Sequence, residues 1–157
     1  MGKIEIREGQ PDDAPLLLEF IRGLADYEHL LEQVDANLEE LRRTIFIDKM
    51  AEVLIAEYDG DAAGYALFFH NYSTFKGKAG LYIEDLFVKP ELRGKGVGKA
   101  LFKRLAGIAA GRNCWRIEWS CLDWNTSSIN FYKSLGAVPL SAWTTYRLTD
   151  DKFKTML

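Results

Sequence analysis

Leu81-Tyr-Ile-Glu-Asp-Leu-Phe-Val88 runs through Lys89-Pro-Glu-Leu92 into Arg93-Gly-Lys-Gly-Val-Gly98, and Leu101, Leu105 and Ile108 follow at helical spacing. The stretch reads as a strand, a glycine-rich turn and a helix. Upstream, Val53-Leu-Ile-Ala56 and Gly64 to Phe69 are β-rich runs joined by the hairpin signal Asp59-Gly60. With Leu81 to Val88, which follows the loop at Lys76-Gly-Lys78, they predict an antiparallel three-stranded meander. Nearer the N-terminus, Ile4 and Ile6 alternate with Glu5 and Arg7 as in a short strand with one buried face. Pro11-Asp-Asp13 reads as a turn and N-cap. Leu17, Phe20, Ile21, Leu24 and Tyr27 then predict a helix over residues 13–32, and Leu38, Leu41 and Ile45 a shorter one. Past the glycine turn, Arg116 to Cys121 predicts a strand, Thr126 to Leu135 a helix stopped by Gly136, and Thr145 to Leu148 a last strand. The expectation is a single α/β (α+β) domain over residues 1–157, with a mixed, mostly antiparallel sheet flanked by helices.

Composition excludes several classes. Apolar residues make up 48% and charged residues 27% of 157, as in an ordinary globular protein. Lys and Arg total 20 against 23 Asp and Glu, so there is no basic surplus for a phosphate backbone, and no nucleic-acid partner is expected. The longest apolar run, Ala62 to Phe69, falls far short of the roughly 20 residues of a membrane helix, so no membrane partner is expected either. The opening Lys3, Glu5, Arg7, Glu8 shows no secretory signal, and Cys114 and Cys121 form neither a CxxC nor a disulfide framework. A cytoplasmic location is the expectation.

Gly94, Gly96 and Gly98 let the backbone approach a ligand, and the helix behind them offers unpaired N–H groups. With Arg93 and Lys95 this suits a pyrophosphate, while a purely structural turn remains the alternative. A Walker loop fails, because Gly98-Lys99 is followed by Ala100 and Arg93 stands where the first glycine belongs. The dinucleotide fingerprint also fails: the spacing is Gly-x-Gly-x-Gly, and Lys89 to Leu92 separate strand from turn.

Glu84 and Asp85 lie in a run that is apolar on both sides. Strict alternation puts Glu84 with Tyr82, Leu86 and Val88, and Asp85 with Ile83 and Phe87 on the other face. Such a strand is expected to be buried, and a carboxylate in it costs several kcal/mol unless paired. An internal ion pair or a helix-end hydrogen bond is one reading; acid–base chemistry is the other. Tyr27 and Glu28 close the first predicted helix and read by composition as a core aromatic and a solvated charge. Asn125, Ser128, Ile129 and Tyr132 share one helix face, with Asn125 a natural N-cap and Tyr132 a core or functional aromatic. His29 and His70 lack partners at metal-ligand spacing, so no metal is expected.

The stretch Val88 to Gly98 resembles the Arg/Gln-x-x-Gly-x-Gly/Ala loop of the GNAT superfamily of acetyltransferases. Leu-Ala-Asp-Tyr27-Glu28, Leu81 to Val88 and Trp124-Asn-Thr-Ser-Ser-Ile-Asn-Phe-Tyr132 further resemble the diamine (spermidine/spermine) and thialysine acetyltransferases. That resemblance, over about residues 3–150, implies a GNAT-type domain using acetyl-CoA as co-substrate, a small amine acceptor and a homodimer. It implies that Arg93, Gly94, Lys95, Gly96, Val97, Gly98 and Lys99 bind the pyrophosphate. Asn125, Thr126, Ser127 and Ser128 would contact the pantetheine or phosphate part. Leu86, Phe87 and Val88 would offer free backbone amides where their strand splays from its neighbour. Tyr27, Glu28, Glu84, Asp85, Glu118, Trp119 and Ser120 become substrate contacts, with Glu84 the base and Tyr132 the acid.

The chemistry agrees with those roles. An alkylammonium with a pKa of about 10.4 leaves about one molecule in a thousand neutral at pH 7, a deficit of roughly 4 kcal/mol that a base helps to overcome. A buried Glu84 with a raised pKa would suit that task. A phenol near 10 can protonate a leaving thiolate near 8.5. Trp143 and Thr144 depart from the acidic residues of the polyamine enzymes, which leaves room for thialysine or another amine. Direct transfer to a primary amine is the expectation. A protein lysine or N-terminus as acceptor, and a non-catalytic acyl-CoA sensor, are the alternatives.

Overall fold

Asp59 and Gly60 take φ of 51° and 86°, the two left-handed residues that a tight two-residue hairpin turn requires. The turn joins β2 (Glu52–Tyr58) to β3 (Asp61–Ser73), with Tyr58 and Asp61 opposite each other. The protein is described by a computed structural model covering residues 2–157, whose chain groups into one unit ending at Ser120 and another, Cys121–Leu157. The first unit holds a five-stranded sheet in the order β1 (Ile4–Glu8), β2, β3, β4 (Lys78–Val88), β5 (Ile117–Trp119). β2, β3 and β4 form the antiparallel meander that the sequence predicts, β1 adds antiparallel to β2, and β5 joins β4 in parallel.

Helix α1 (Ala14–Tyr27) buries Leu17 and Phe20 against Val53, Ile55, Tyr65 and Phe87 on one sheet face. Phe20 stacks flat on Tyr65, with 5.6 Å between centroids and 1° between planes. Gly23 lets this helix lie close, since a Cβ there would come within 2.9 Å of the Phe87 ring. On the other face, α3 (Val97–Gly111) buries Val97, Leu101 and Leu105, and its Phe102 meets Trp119 edge-on at 5.0 Å.

Three sequence expectations change in length. The first helix stops at Tyr27, because His29 takes φ 61° and closes the end: His29 N–H donates to Asp26 O and Leu30 N–H to Ala25 O. The second predicted helix is α2 (Leu38–Leu41), capped by Asn37 Oδ1 and continued by a wider π turn over Arg42–Ile47. The strand expected over Arg116 to Cys121 is reduced to Ile117–Trp119.

The main correction lies in β4. Its register with β3 passes from Leu67↔Asp85 to Phe68↔Ile83, so Glu84 is an extra residue in a β-bulge. The bulge reverses the alternation. Asp85 and Phe87 face α1, whereas Ile83, expected beside them, faces the side of α3. Glu84 is exposed rather than buried, which spares a charged carboxylate the cost of an apolar face.

In the second unit, α4 (Thr126–Ser134) begins at Asn125, whose Oδ1 accepts from Ser128 N–H at 3.3 Å. It ends at Gly136, φ 86°, as the sequence predicts. A short α5 (Asp150–Phe153) follows. The strand expected over Thr145 to Leu148 does not form: these residues are exposed and have no ladder partner among the described residues.

Candidate active site

The closed end of α1 sets Tyr27 and Glu28 beside the C-terminal half of β4. Arg93 ties the two together: its guanidinium lies 4.3 Å over the Tyr27 ring and 6.0 Å from that of Phe87. Its Nε donates to Val88 O at 3.1 Å. Asp85, half-buried on the same face, accepts a 2.8 Å hydrogen bond at Oδ2 from the Tyr65 hydroxyl. Burial pushes the Asp85 carboxyl above the usual range, the Tyr65 hydrogen bond opposes this, and the charge of Glu84 adds to the rise. Glu28 is pushed up as well, first by burial and then by Asp85. Burial and the same carboxylates drive the Tyr65 phenol far upward, so it remains a donor throughout the physiological range. No Lys, Arg or His among the described residues forms an ion pair with Glu28, Glu84 or Asp85. Three carboxylates thus lie near one another with no salt bridge to a protein cation, the nearby Arg93 guanidinium and Lys89 Nζ resting instead on the rings of Tyr27 and Phe20.

Next to this cluster the sheet opens. The β4–β5 ladder ends at Ile83↔Trp119, so Glu84, Asp85, Leu86, Phe87 and Val88 make no ladder bond to β5. The turn that follows takes positive φ at Gly94 (75°) and Gly96 (91°). Gly96 is the N-cap of α3 and supplies no side chain, leaving the first-turn amides from Val97, Gly98 and Lys99 uncapped. A Cβ at Gly94 would meet nothing within 4 Å, so the space over the turn is open. Lys95 lies 5.6 Å over the Tyr58 ring. An uncapped helix start in an open glycine turn is suited to an anion such as a pyrophosphate.

The β5 residues are differently placed. Glu118 pairs with Arg116 Nε at 2.8 Å and accepts from Asn71 Nδ2 at 3.2 Å, so its charge is already compensated. Trp119 packs on Phe102 under α3. Ser120 Oγ lies 3.0 Å from the Tyr82 hydroxyl. The structure therefore gathers Tyr27, Glu28, Asp85, Phe87, Val88 and Arg93, and gives Glu118 and Trp119 structural partners. In the second unit, Asn125 is 7% exposed and caps the helix carrying Thr126, Ser127, Ser128 and the half-buried Tyr132, whose ring lies 5.8 Å from Phe131. Tyr65 escaped the sequence reading. Its signal was a phenol in an otherwise apolar run, since a buried hydroxyl needs a partner.

A model of the Acetyltransferase (GNAT) family matches residues 18–137. The chain belongs to this family. GNAT proteins use acetyl-CoA as co-substrate, and the open turn at Gly94 and Gly96 with its uncapped amides fits the diphosphate of such a molecule. Thialysine N-epsilon-acetyltransferase of Bos taurus is 36% identical over 99% of this chain and 98% of its own length. L-ornithine N5-acetyltransferase of Arabidopsis thaliana is 38% identical over 83% of this chain and 56% of its own. Among solved structures, an integron cassette protein from the mobile metagenome of V. cholerae superposes with a TM-score of 0.80 at 28% identity, covering 98% of this chain and 96% of that one. As a GNAT member the protein is an N-acetyltransferase with the α/β fold described above.

Proposed function

We propose that the protein acetylates a primary amine of a small cationic substrate, thialysine-like or polyamine-like, by direct attack of the amine nitrogen on the thioester. The observation that carries this reading is the grouping of Glu28, Glu84 and Asp85, none of them in a salt bridge, beside the Tyr27 ring on which Arg93 rests. Relatives named for thialysine and L-ornithine acetylation support it, since both of those acceptors are compact and multiply charged.

Acetyl-CoA supplies the activated acetyl group. The backbone amides at the start of α3, with Arg93, Lys95 and Lys99, hold its diphosphate, and Asn125, Thr126, Ser127 and Ser128 hold other polar parts. Leu86, Phe87 and Val88 offer backbone donors along the open edge of β4 to the acyl oxygen. The acceptor brings two problems, because a carboxylate that binds an ammonium also keeps it protonated. Separate groups solve them: Glu28 and Asp85 hold the non-reacting cation, while Glu84, exposed on its bulge, takes the proton of the reacting nitrogen directly or through water. Tyr132 protonates the departing thiolate. Glu118, Trp119 and Ser120 take a secondary part in shaping the acceptor site. A cytoplasmic homodimer completes the proposal, supported by the resemblance to diamine acetyltransferases and by the free thiols of Cys114 and Cys121.

Incubating the protein with acetyl-CoA and thialysine, lysine, ornithine, spermidine or lysine peptides, with mass spectrometry of products, tests the reading. An acetylated small amine is expected, and kcat is expected to fall by about 10²-fold or more in Tyr132→Phe. Acetylation of peptides alone would overturn the small-amine assignment.

A further inference from the structure

We infer that Tyr65 is a positioning residue that dedicates Asp85 to holding a substrate cation, fixing one oxygen of that carboxylate and leaving the other for the ligand. This rests on the proposal above that Asp85 lies in the acceptor site. Tyr65 is fully buried, its ring stacked on Phe20 and 6.4 Å from Phe87. A phenylalanine would fill the same space and make the same ring contacts, so packing does not account for the hydroxyl. That hydroxyl donates to Asp85 Oδ2 at 2.8 Å, across the β3–β4 ladder.

The bond has two consequences. With Oδ2 engaged, the carboxylate plane is held and Oδ1 is the oxygen left to accept from an ammonium. A donor that cannot itself ionise in the physiological range also favours the charged form of its acceptor. Asp85 needs that help, because burial and then the charge of Glu84 on its own strand press it toward neutrality. Without Tyr65, Asp85 would drift toward a neutral acid unable to anchor a cation.

The direct test is carbon-13 NMR titration of the Asp85 side-chain carboxyl, which requires no turnover. In Tyr65→Phe its midpoint should move to higher pH. Replacing Tyr65 with 3-fluorotyrosine, a stronger donor of nearly the same size, should move it lower, which keeps the test intact should the phenylalanine variant fold poorly. In steady state with the best amine of the panel, Tyr65→Phe should raise the amine KM about tenfold, with kcat and the acetyl-CoA KM changed less than about twofold. In an Asp85→Asn background the same substitution should add nothing further to the amine KM. An unmoved midpoint, or equal effects of Tyr65→Phe with and without Asp85, would overturn the inference. A wild-type protein that acetylates no small amine would instead overturn the functional reading, and the NMR titration would still decide whether Tyr65 governs Asp85.

Discussion

Arg7 and Tyr65, two residues of one sheet, each hold an aspartate, and the two arrangements serve opposite ends. On β1, Arg7 forks onto both oxygens of Asp13 at 2.7 and 2.9 Å and reaches Glu57 Oε1 at 2.8 Å. The Arg7 hydrogen bonds hold the Asp13 carboxyl below its usual range, and the guanidinium is itself held more firmly protonated. Asp13 also accepts from Gln10 N–H, so the ion pair pins the turn leading into α1 to the first strand. On β4, a neutral phenol takes the place of the guanidinium, and Asp85 and Glu28 are pushed up instead of down. The first cluster is complete in itself. The second has carboxylates in no salt bridge, and the substrate cation proposed above would neutralise them.

The largest expected effect comes from cutting the acid–base function out of the incomplete cluster. Glu84→Gln should lower kcat/KM for the amine by about 10² to 10⁴-fold while leaving acetyl-CoA affinity unchanged. Because Glu84 is exposed on a bulge, the melting temperature should barely move. Steady-state kinetics and calorimetry check both halves. A large loss of stability with intact turnover would place Glu84 with the structural carboxylates.

Removing the centre of the complete cluster should do the reverse. Arg7→Met strands Asp13 and Glu57, and a loss of about 1–2 kcal/mol is expected, discounted because over a third of the Arg7 side chain is solvated. That corresponds to a fall in melting temperature of roughly 2–8 °C, with kcat/KM per folded molecule unchanged. The sign with pH follows from the depressed carboxyl of Asp13. Its contribution is present above the unfolded value of about 3.9 and disappears as pH falls through the lower folded value. The gap between wild type and Arg7→Met should therefore close in acid.

What the sequence disclosed follows the same division between local and distant causes. The hairpin at Asp59-Gly60 and the helix stop at Gly136 were legible because glycine marks a left-handed backbone position. The end of α1 has the same hydrogen-bonded geometry as the end at Gly136, but His29 occupies the left-handed position, so no glycine marks the stop and the helical pattern runs on past it. The glycine turn and the Asn125 cap were legible as motifs of adjacent residues. The bulge at Glu84 was not, because it exists only in the register between β4 and β3. The Tyr65–Asp85 bond was hidden for the same reason: twenty residues separate two side chains that the ladder brings together. The expected strand at Thr145 to Leu148 had β-rich residues, but a strand also needs a partner edge, which composition cannot supply.

The smallest expected effect decides most sharply whether the two clusters differ in kind. Asp85 is held above its unfolded pKa, so folding pays a penalty for its charge that is absent below about pH 4 and complete once pH exceeds the raised folded value. Asn at this position keeps an amide oxygen to accept from Tyr65 and removes the charge. Asp85→Asn should thus stabilise the protein at pH 8 by up to about 1 kcal/mol, a modest figure because the amide oxygen accepts a weaker hydrogen bond from Tyr65 than the carboxylate does. Its advantage should shrink as pH falls, as the Asp85 of the wild type becomes neutral. Over the range in which the variant is the more stable it should bind the amine more weakly than the wild type, whose Asp85 is charged there. Thermal melts of both proteins from pH 4 to pH 8 provide the measurement. Were Asp85→Asn to destabilise the protein at pH 8, Asp85 would be a structural carboxylate like Asp13, and the anchor for a substrate cation would have to be sought at Glu28 and Glu84 alone.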